Sequence, residues 1–183
     1  MSNIGKWVID PMHSEIQFKV KHLVISTVTG SFQQFDGHIE VSNEDFTDSK
    51  IEFAANIDSI STGNEQRDGH LKSADFFDAR NFPKLSFVAT SFTKVDDENY
   101  KLVGNLTIRD VSKEVELDVE YGGIADDFYG NTKVGFTLEG KINRKEFGLK
   151  WDGVTEAGSV VVSEVVKLIA NVQFAKVKEE AVA

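Results

Sequence analysis

Strict alternation of apolar and polar residues is the feature that most restricts what this chain can become. In residues 15–21, Ile16, Phe18 and Val20 fall on one side, while Glu15, Gln17, Lys19 and Lys21 fall on the other. A period of two marks a strand with one buried and one wetted face. Comparable runs occupy residues 7–10, 31–41, 51–57, 85–92, 101–108, 115–121, 133–142 and 160–174, so eight or nine strands are predicted. Turn-forming clusters separate them: residues 42–45, 96–99, Arg109-Asp110, Gly122-Gly123 and 153–158. Connections this short join antiparallel neighbours. An apolar face on every strand permits a two-sheet sandwich or a closed barrel. Many of the runs are longer than the usual strand of about five to six residues. The chain also carries 14 Phe against 3 Tyr and 2 Trp. Long strands and a Phe-rich, dry interior favour a barrel. One domain over residues 1–177 with a polar tail at 178–183 is the simplest organisation.

Residues 67–83, RDGHLKSADFFDARNFP, do not alternate. They mix Arg67, Asp68, His70, Lys72, Asp75, Asp78 and Arg80 with Leu71, Phe76, Phe77 and Phe82. Such a segment suits a lid that turns apolar groups toward a β-structure and charged groups toward water or a ligand. Thr62 followed by Glu65 three residues later fits a capping box. A short helix is expected from Gly63 to Lys72, then a turn or second short helix near Phe76 to Asp78. One or two short helices therefore fall between Gly63 and Asp78, and Pro83 ends the segment.

Composition removes several function classes. A net charge of −10 repels nucleic acid and anionic headgroups as general partners, although a local basic patch is still allowed. The absence of Cys removes disulfides, thiol nucleophiles and thiolate metal sites. No run approaches the roughly 18 apolar residues of a spanning helix. The opening MSNIGKWVID lacks the apolar core of a leader. A cytoplasmic protein without a stable membrane anchor is the expectation. His13, His22, His38 and His70 follow no metal-ligand spacing, so neither metal nor cofactor is expected. There is no G-x-S-x-G motif, and Ser14 and His13 are neighbours that a strand would point apart. These absences argue against an enzyme.

Two features leave alternatives open. Glu164 shares the parity of Val160, Val162, Val166, Leu168, Ala170, Val172 and Phe174. Either it meets an apolar wall and needs Arg144 or Lys145, or the strand bends there and releases it to water. Arg67, His70, Lys72, Arg80, Arg144 and Lys145 either hold a phosphate or pyrophosphate, or pair with nearby acids, as Arg67 would with Asp68 or Asp75.

The ordered motifs Trp7-x-Ile9-Asp10-x-x-His13-Ser14-x-Ile16-x-Phe18-x-Val20-Lys21-His22-Leu23 and Ser26-x-Val28-x-Gly30-x-Phe32-x-x-Phe35-x-Gly37 closely resemble the opening of the YceI-like family of polyisoprenoid-binding proteins. The resemblance continues through Ile57-x-Ser59-Ile60-x-Thr62, Arg67-Asp68-x-His70-Leu71-Lys72-Ser73-x-Asp75-Phe76-Phe77-Asp78, Leu102-x-Gly104-x-Leu106-Thr107-Ile108, Ile142-Asn143-Arg144-x-x-Phe147-Gly148 and Val162-Ser163-Glu164. It spans nearly the whole chain. It implies a mainly β, eight-stranded antiparallel, lipocalin-like barrel whose elongated apolar cavity holds a long isoprenoid, such as a polyprenyl diphosphate or quinone. A homodimer is also implied. On this reading Phe18, Val20, Phe32, Ile39, Phe53, Ile57, Leu71, Phe76, Phe77, Phe87 and Phe136 line the lipid tail. His13, Arg67, His70, Lys72 and Arg144 are the candidates for the head group. Many relatives carry a signal peptide, which is not expected here, and an acidic pair near Glu164 where this chain has Val165. A lipid-modifying enzyme using His13, His70 or Glu164 is one alternative. A stress-response interaction protein with an incidental cavity is another.

Overall fold

A computed structural model describes residues 2–23, 25–151 and 162–178. Eleven strands form one antiparallel sheet that closes on itself. They are β1 Gly5–Ile9, β2 Glu15–His22, β3 Ser26–Phe32, β4 Phe35–Val41, β5 Lys50–Asn56, β6 Ile60–Ser61, β7 Lys84–Lys94, β8 Asn99–Ile108, β9 Val111–Asp126, β10 Thr132–Asn143 and β11 Val162–Lys176. Closure comes from the long β11, which pairs with β10 on one side and with both β1 and β2 on the other. The first six strands are three broken ones. β1 runs into β2 through the 3-10 turn Pro11–His13, β3 into β4 through Gln33 and Gln34, and β5 into β6 through the 3-10 turn Ile57–Ser59. The broken strands lie side by side, with Gln33 N–H donating to Ser59 O and Asn56 N–H to Gln34 O across the breaks. The result is an eight-stranded antiparallel barrel.

The alternation turns inward as expected. Trp7, Ile39, Phe92, Leu102, Val119, Val134 and Phe174 are all buried. Packing is close enough to dictate glycine at particular positions. A Cβ at Gly104 would stand 2.4 Å from the Phe87 ring and 2.6 Å from the Val88 carbonyl, and one at Gly30 would stand 2.1 Å from the Phe18 ring. In both cases a large inward ring lies across the bare backbone of the next strand.

Three local expectations are corrected. The run 31–41 is not one strand, because it breaks at Gln33-Gln34 and its first part begins at Ser26. Gly122-Gly123 is not a turn. Gly135 pairs with Gly123 and Phe136 with Tyr121, so Gly122 is the extra residue of a bulge inside the 16-residue β9. The capping residue of the helix is Asn64, not Thr62. α1 spans Glu65–Lys72, and the Asn64 side chain accepts from Arg67 N–H. The region near Phe76 is a turn, leaving α1 as the single α-helix among the described residues. The 153–158 turn, the start of the 160–174 run and the tail beyond residue 178 lie outside the described residues. No described helix is long and apolar enough to cross a membrane.

The barrel has a plugged end and a lidded end. At the first, the β4–β5 loop drives Phe46 inward to 2% exposure with a left-handed φ of 68°, rare for a non-glycine residue. Its ring packs on Trp7, Tyr121 and Phe136 at 5.5–6.1 Å. The loop is tied down by Tyr100 O–H donating to Asp45 O at 2.6 Å and Asp48 N–H donating to Phe92 O at 2.9 Å. β8 starts at this end and finishes at the other, where the lid lies.

Candidate functional site: an apolar cavity beneath a clamped lid

Between plug and lid lies a cavity of about 240 Å³. Of the 33 described residues around it only Gln17 and Arg144 are polar. Every strand except the two-residue β6 contributes. Phe18, Val20, Phe32, Ile39, Phe53, Leu71, Phe76, Phe77, Phe87 and Phe136 all line it. Ile57 does not; it is buried in the 3-10 turn, where its N–H donates to Pro83 O. Wall positions such as Leu138, Leu168 and Ala170 belong to the same parity as these residues.

The lid folds because helix and turn share backbone bonds. Phe77 N–H donates to Leu71 O at 3.0 Å and Ala79 N–H to Lys72 O at 2.9 Å, which presents Leu71, Phe76 and Phe77 to the cavity together. The Phe77 ring meets Phe32 edge-on at 6.0 Å. His70, Phe76 and Trp151 form a triangle of rings 4.7–5.4 Å apart.

Arg109 clamps this lid, a role its place in a turn concealed. Arg109 and Asp110 both take left-handed φ values, 51° and 63°, in a two-residue hairpin. From there Arg109 Nη1 donates to Ala74 O at 3.3 Å, Phe76 O at 3.0 Å and Gly148 O at 3.0 Å. One side chain thus joins the lid, the β8–β9 turn and the segment after β10. The turn-forming Arg109-Asp110 pair was the signal in the sequence, and it is silent about where the side chain points. Arg109→Asn keeps a residue suited to that backbone while removing the guanidinium. We expect about tenfold faster amide exchange at Phe76, Phe77 and Ala79, with exchange in β8 unchanged. Equal protection in both proteins would show that the clamp is dispensable.

The five basic candidates separate. Arg144 is 3% exposed and on the cavity wall. Its guanidinium donates to the carbonyls of Leu149 at 2.6 Å, Trp151 at 2.7 Å, Ser163 at 2.8 Å and Val162 at 3.1 Å, and lies 6.0 Å from the Phe76 ring centre. His70 pairs with Asp75 at 2.9 Å, and Lys72 ends the lid helix. Arg67 is committed to Thr62, donating to its hydroxyl and its carbonyl, each at 2.7 Å. Neither Asp68 nor Asp75 is its partner, since Asp68 accepts from the Thr62 N–H and hydroxyl. His13 lies away from the lid. It bonds Asp10 at 2.7 Å, which Lys133 joins at 2.5 Å near the β9–β10 turn.

Burial of Asp10 raises its carboxyl pKa, but bonds from Lys133 and His13, the Lys133 charge and the Met12 N–H outweigh this and lower it to about 2 from 3.8. A depressed folded-state value stabilises above the unfolded value and is lost as pH falls through the folded one. The advantage of the native chain over Asp10→Asn should therefore shrink between pH 4 and pH 2, by about 2 kcal/mol. Urea unfolding at several pH values checks this; a constant difference would contradict it.

Glu164 takes the outward course. β11 bulges between Val162 and Val166, and Glu164 meets Lys145 Nζ at 3.2 Å in solvent. His13, His70 and Glu164 are thus each paired with a different residue, Asp10, Asp75 and Lys145, and none lines the cavity. Among the described residues no group of three His, Asp or Glu side chains is placed to hold a metal ion.

Comparison with known proteins settles the ancestry. The model of the YceI-like domain matches residues 7–174. The chain belongs to the YceI-like domain family. A UPF0312 protein of Staphylococcus epidermidis is 39% identical over 170 residues, covering 92% of this chain and 96% of the relative. The solved Campylobacter jejuni YceI protein superposes with a TM-score of 0.73 at 34% identity, over 87% of this chain and 91% of that one. A polyisoprenoid binding domain from Saccharophagus degradans, implicated in plant cell wall breakdown, shares the fold with a TM-score of 0.69. It is 13% identical, over 96% of this chain and all of the other. The barrel is therefore shared with a protein only 13% identical in sequence.

Proposed function

We propose that the protein binds a long-chain isoprenoid or similar single-tailed lipid, with the tail inside the barrel and the head at the lidded end. The observation that carries this reading is the cavity wall, where 31 of 33 residues are apolar. Such a wall gives a chain of methylenes about 0.8 kcal/mol each on transfer from water. Eight isoprene units would nominally exceed the ceiling of about 20 kcal/mol on real affinities. The source of such a lipid is itself apolar, so the net gain is far smaller and head-group contacts decide selectivity. The cavity of about 240 Å³ lies below the usual range of about 300–1,000 Å³ for ligand pockets. A long tail therefore enters with Phe76 and Phe77 moved aside, and Arg109 sets the cost of that motion.

His70 and Lys72 on the lid helix and Arg144 on the cavity wall are the head-group candidates this reading keeps. Arg144, like Arg67, already donates to backbone carbonyls, but it alone of the two lines the cavity, whereas His13 lies away from the lid. Family membership and the fold shared with a polyisoprenoid binding domain support the choice of lipid class. Binding rather than catalysis fits the separation of His13, His70 and Glu164 from one another. The test is uptake of a radiolabelled polyprenyl diphosphate, followed by gel filtration. Co-elution of label with protein is expected, and label that never leaves the lipid fraction would refute the reading.

A further inference from the structure

The outer face of β10, β11 and β2 carries a row of like charges. Lys141 pairs in register with Lys167, and Lys167 with Lys19. Lys21 follows on the same face of β2. Like charges directly opposite one another destabilise a sheet. None of Lys19, Lys141 and Lys167 makes an ion pair or side-chain hydrogen bond among the described residues. The contrast is with β8 and β9, where Lys101 is met by Glu116 at 2.9 Å. In a chain of net charge −10, a row of lysines without ion pairs departs from the surrounding surface, and acids enter this face only at its margins, with Glu139 on β10 and Glu15 on β2. Beyond it, toward the lidded end, stand exposed apolar groups: Val165 at 50% exposure and Ile25 at 85% in the β2–β3 hairpin. Leu23 is there too, with a left-handed φ of 53°. The same strands line the cavity on their inner side with Val20, Val162 and Val166.

We propose that this face docks on an anionic lipid bilayer, with Lys19, Lys141 and Lys167 over the headgroups and Leu23 and Ile25 among the upper acyl chains. Basic residues flanking an exposed apolar tip fit a charged interface above hydrocarbon, and an acidic protein would leave the tip without a partner. The choice of bilayer rests on the lipid-binding reading, because it puts the cavity entrance against the source of its ligand. The overall negative charge limits binding to this face and makes it reversible.

The test is co-sedimentation of the full chain with vesicles of pure phosphatidylcholine or of phosphatidylcholine with 30% phosphatidylglycerol (about 0.05 and 0.3 M salt). Binding to the anionic vesicles alone, weakened by salt, is expected. Each Lys→Gln change should cost roughly fivefold and the triple change roughly 100-fold. Ile25→Asp should also weaken binding. Phe128→Ser, at an exposed tip of the plugged end, should not. Melting curves of the variants separate loss of docking from loss of fold. Equal binding to both vesicle types, indifference to the triple change, or loss on Phe128→Ser would overturn the proposal. So would lysine-dependent capture of a poly-glutamate peptide without vesicle binding. Uptake of a polyprenyl ligand presented in detergent reports the cavity independently, so failure of docking and failure of lipid binding give different results.

Discussion

Ala170→Trp is expected to lower affinity for a long-chain lipid at least 100-fold while leaving a folded barrel. Ala170 lies between Leu138 and Ile16 in register and faces the cavity. An indole there occupies space the tail would need. Overpacking a filled core costs about 1–3 kcal/mol, but here the added volume enters open space, so the cost should fall at or below that range. Ala170→Val is the matching mild change and should reduce affinity only severalfold. The measurement pairs ligand titration with thermal melting of each variant. Undiminished affinity in a folded Ala170→Trp protein would place the ligand outside the barrel.

The largest stability effect is expected at the opposite end. Trp7 is 0% exposed, its indole N–H donates to Asn3 O at 2.9 Å, and its ring packs on Phe46 at 5.5 Å. Trp7→Ala should cost about 3–5 kcal/mol, because the surrounding strands cannot collapse into the space left behind. For a domain of this size that is a fall in melting temperature of roughly 10 °C. Trp7→Phe keeps most of the packing and loses one hydrogen bond, so about 1–2 kcal/mol is expected. Urea unfolding gives both numbers. A loss below 1 kcal/mol for Trp7→Ala would mean that the plugged end does not hold the barrel shut.

Much of this was legible from residues alone, for a physical reason. A strand buried on one face must alternate, so Phe18, Val20, Phe87 and Phe136 declared their inward direction before any fold was known. The lid segment was legible because charge and Phe were mixed without period. Clamps and breaks were not legible. Gln33 and Gln34 separate two strands without proline or glycine, and the break makes sense only beside Asn56 and Ser59 of the neighbouring broken strand. Arg109 and Arg144 act on backbone carbonyls far along the sequence, and carbonyls leave no trace in side-chain pattern. Parity alone left Glu164 open between an apolar wall and water, and a bulge decides it by releasing the side chain to Lys145 and solvent. The lysine row needed register across three strands, which no single strand encodes.

The central claim is that the barrel interior holds a lipid tail, and extraction tests it most directly. Protein purified without detergent would be extracted with organic solvent and the extract analysed by mass spectrometry, with Ala170→Trp treated in parallel. The account predicts a long-tailed isoprenoid or similar lipid from the native protein and none from the variant. The same lipid recovered equally from both, or no lipid from either together with no uptake of added polyprenyl ligand, would contradict it.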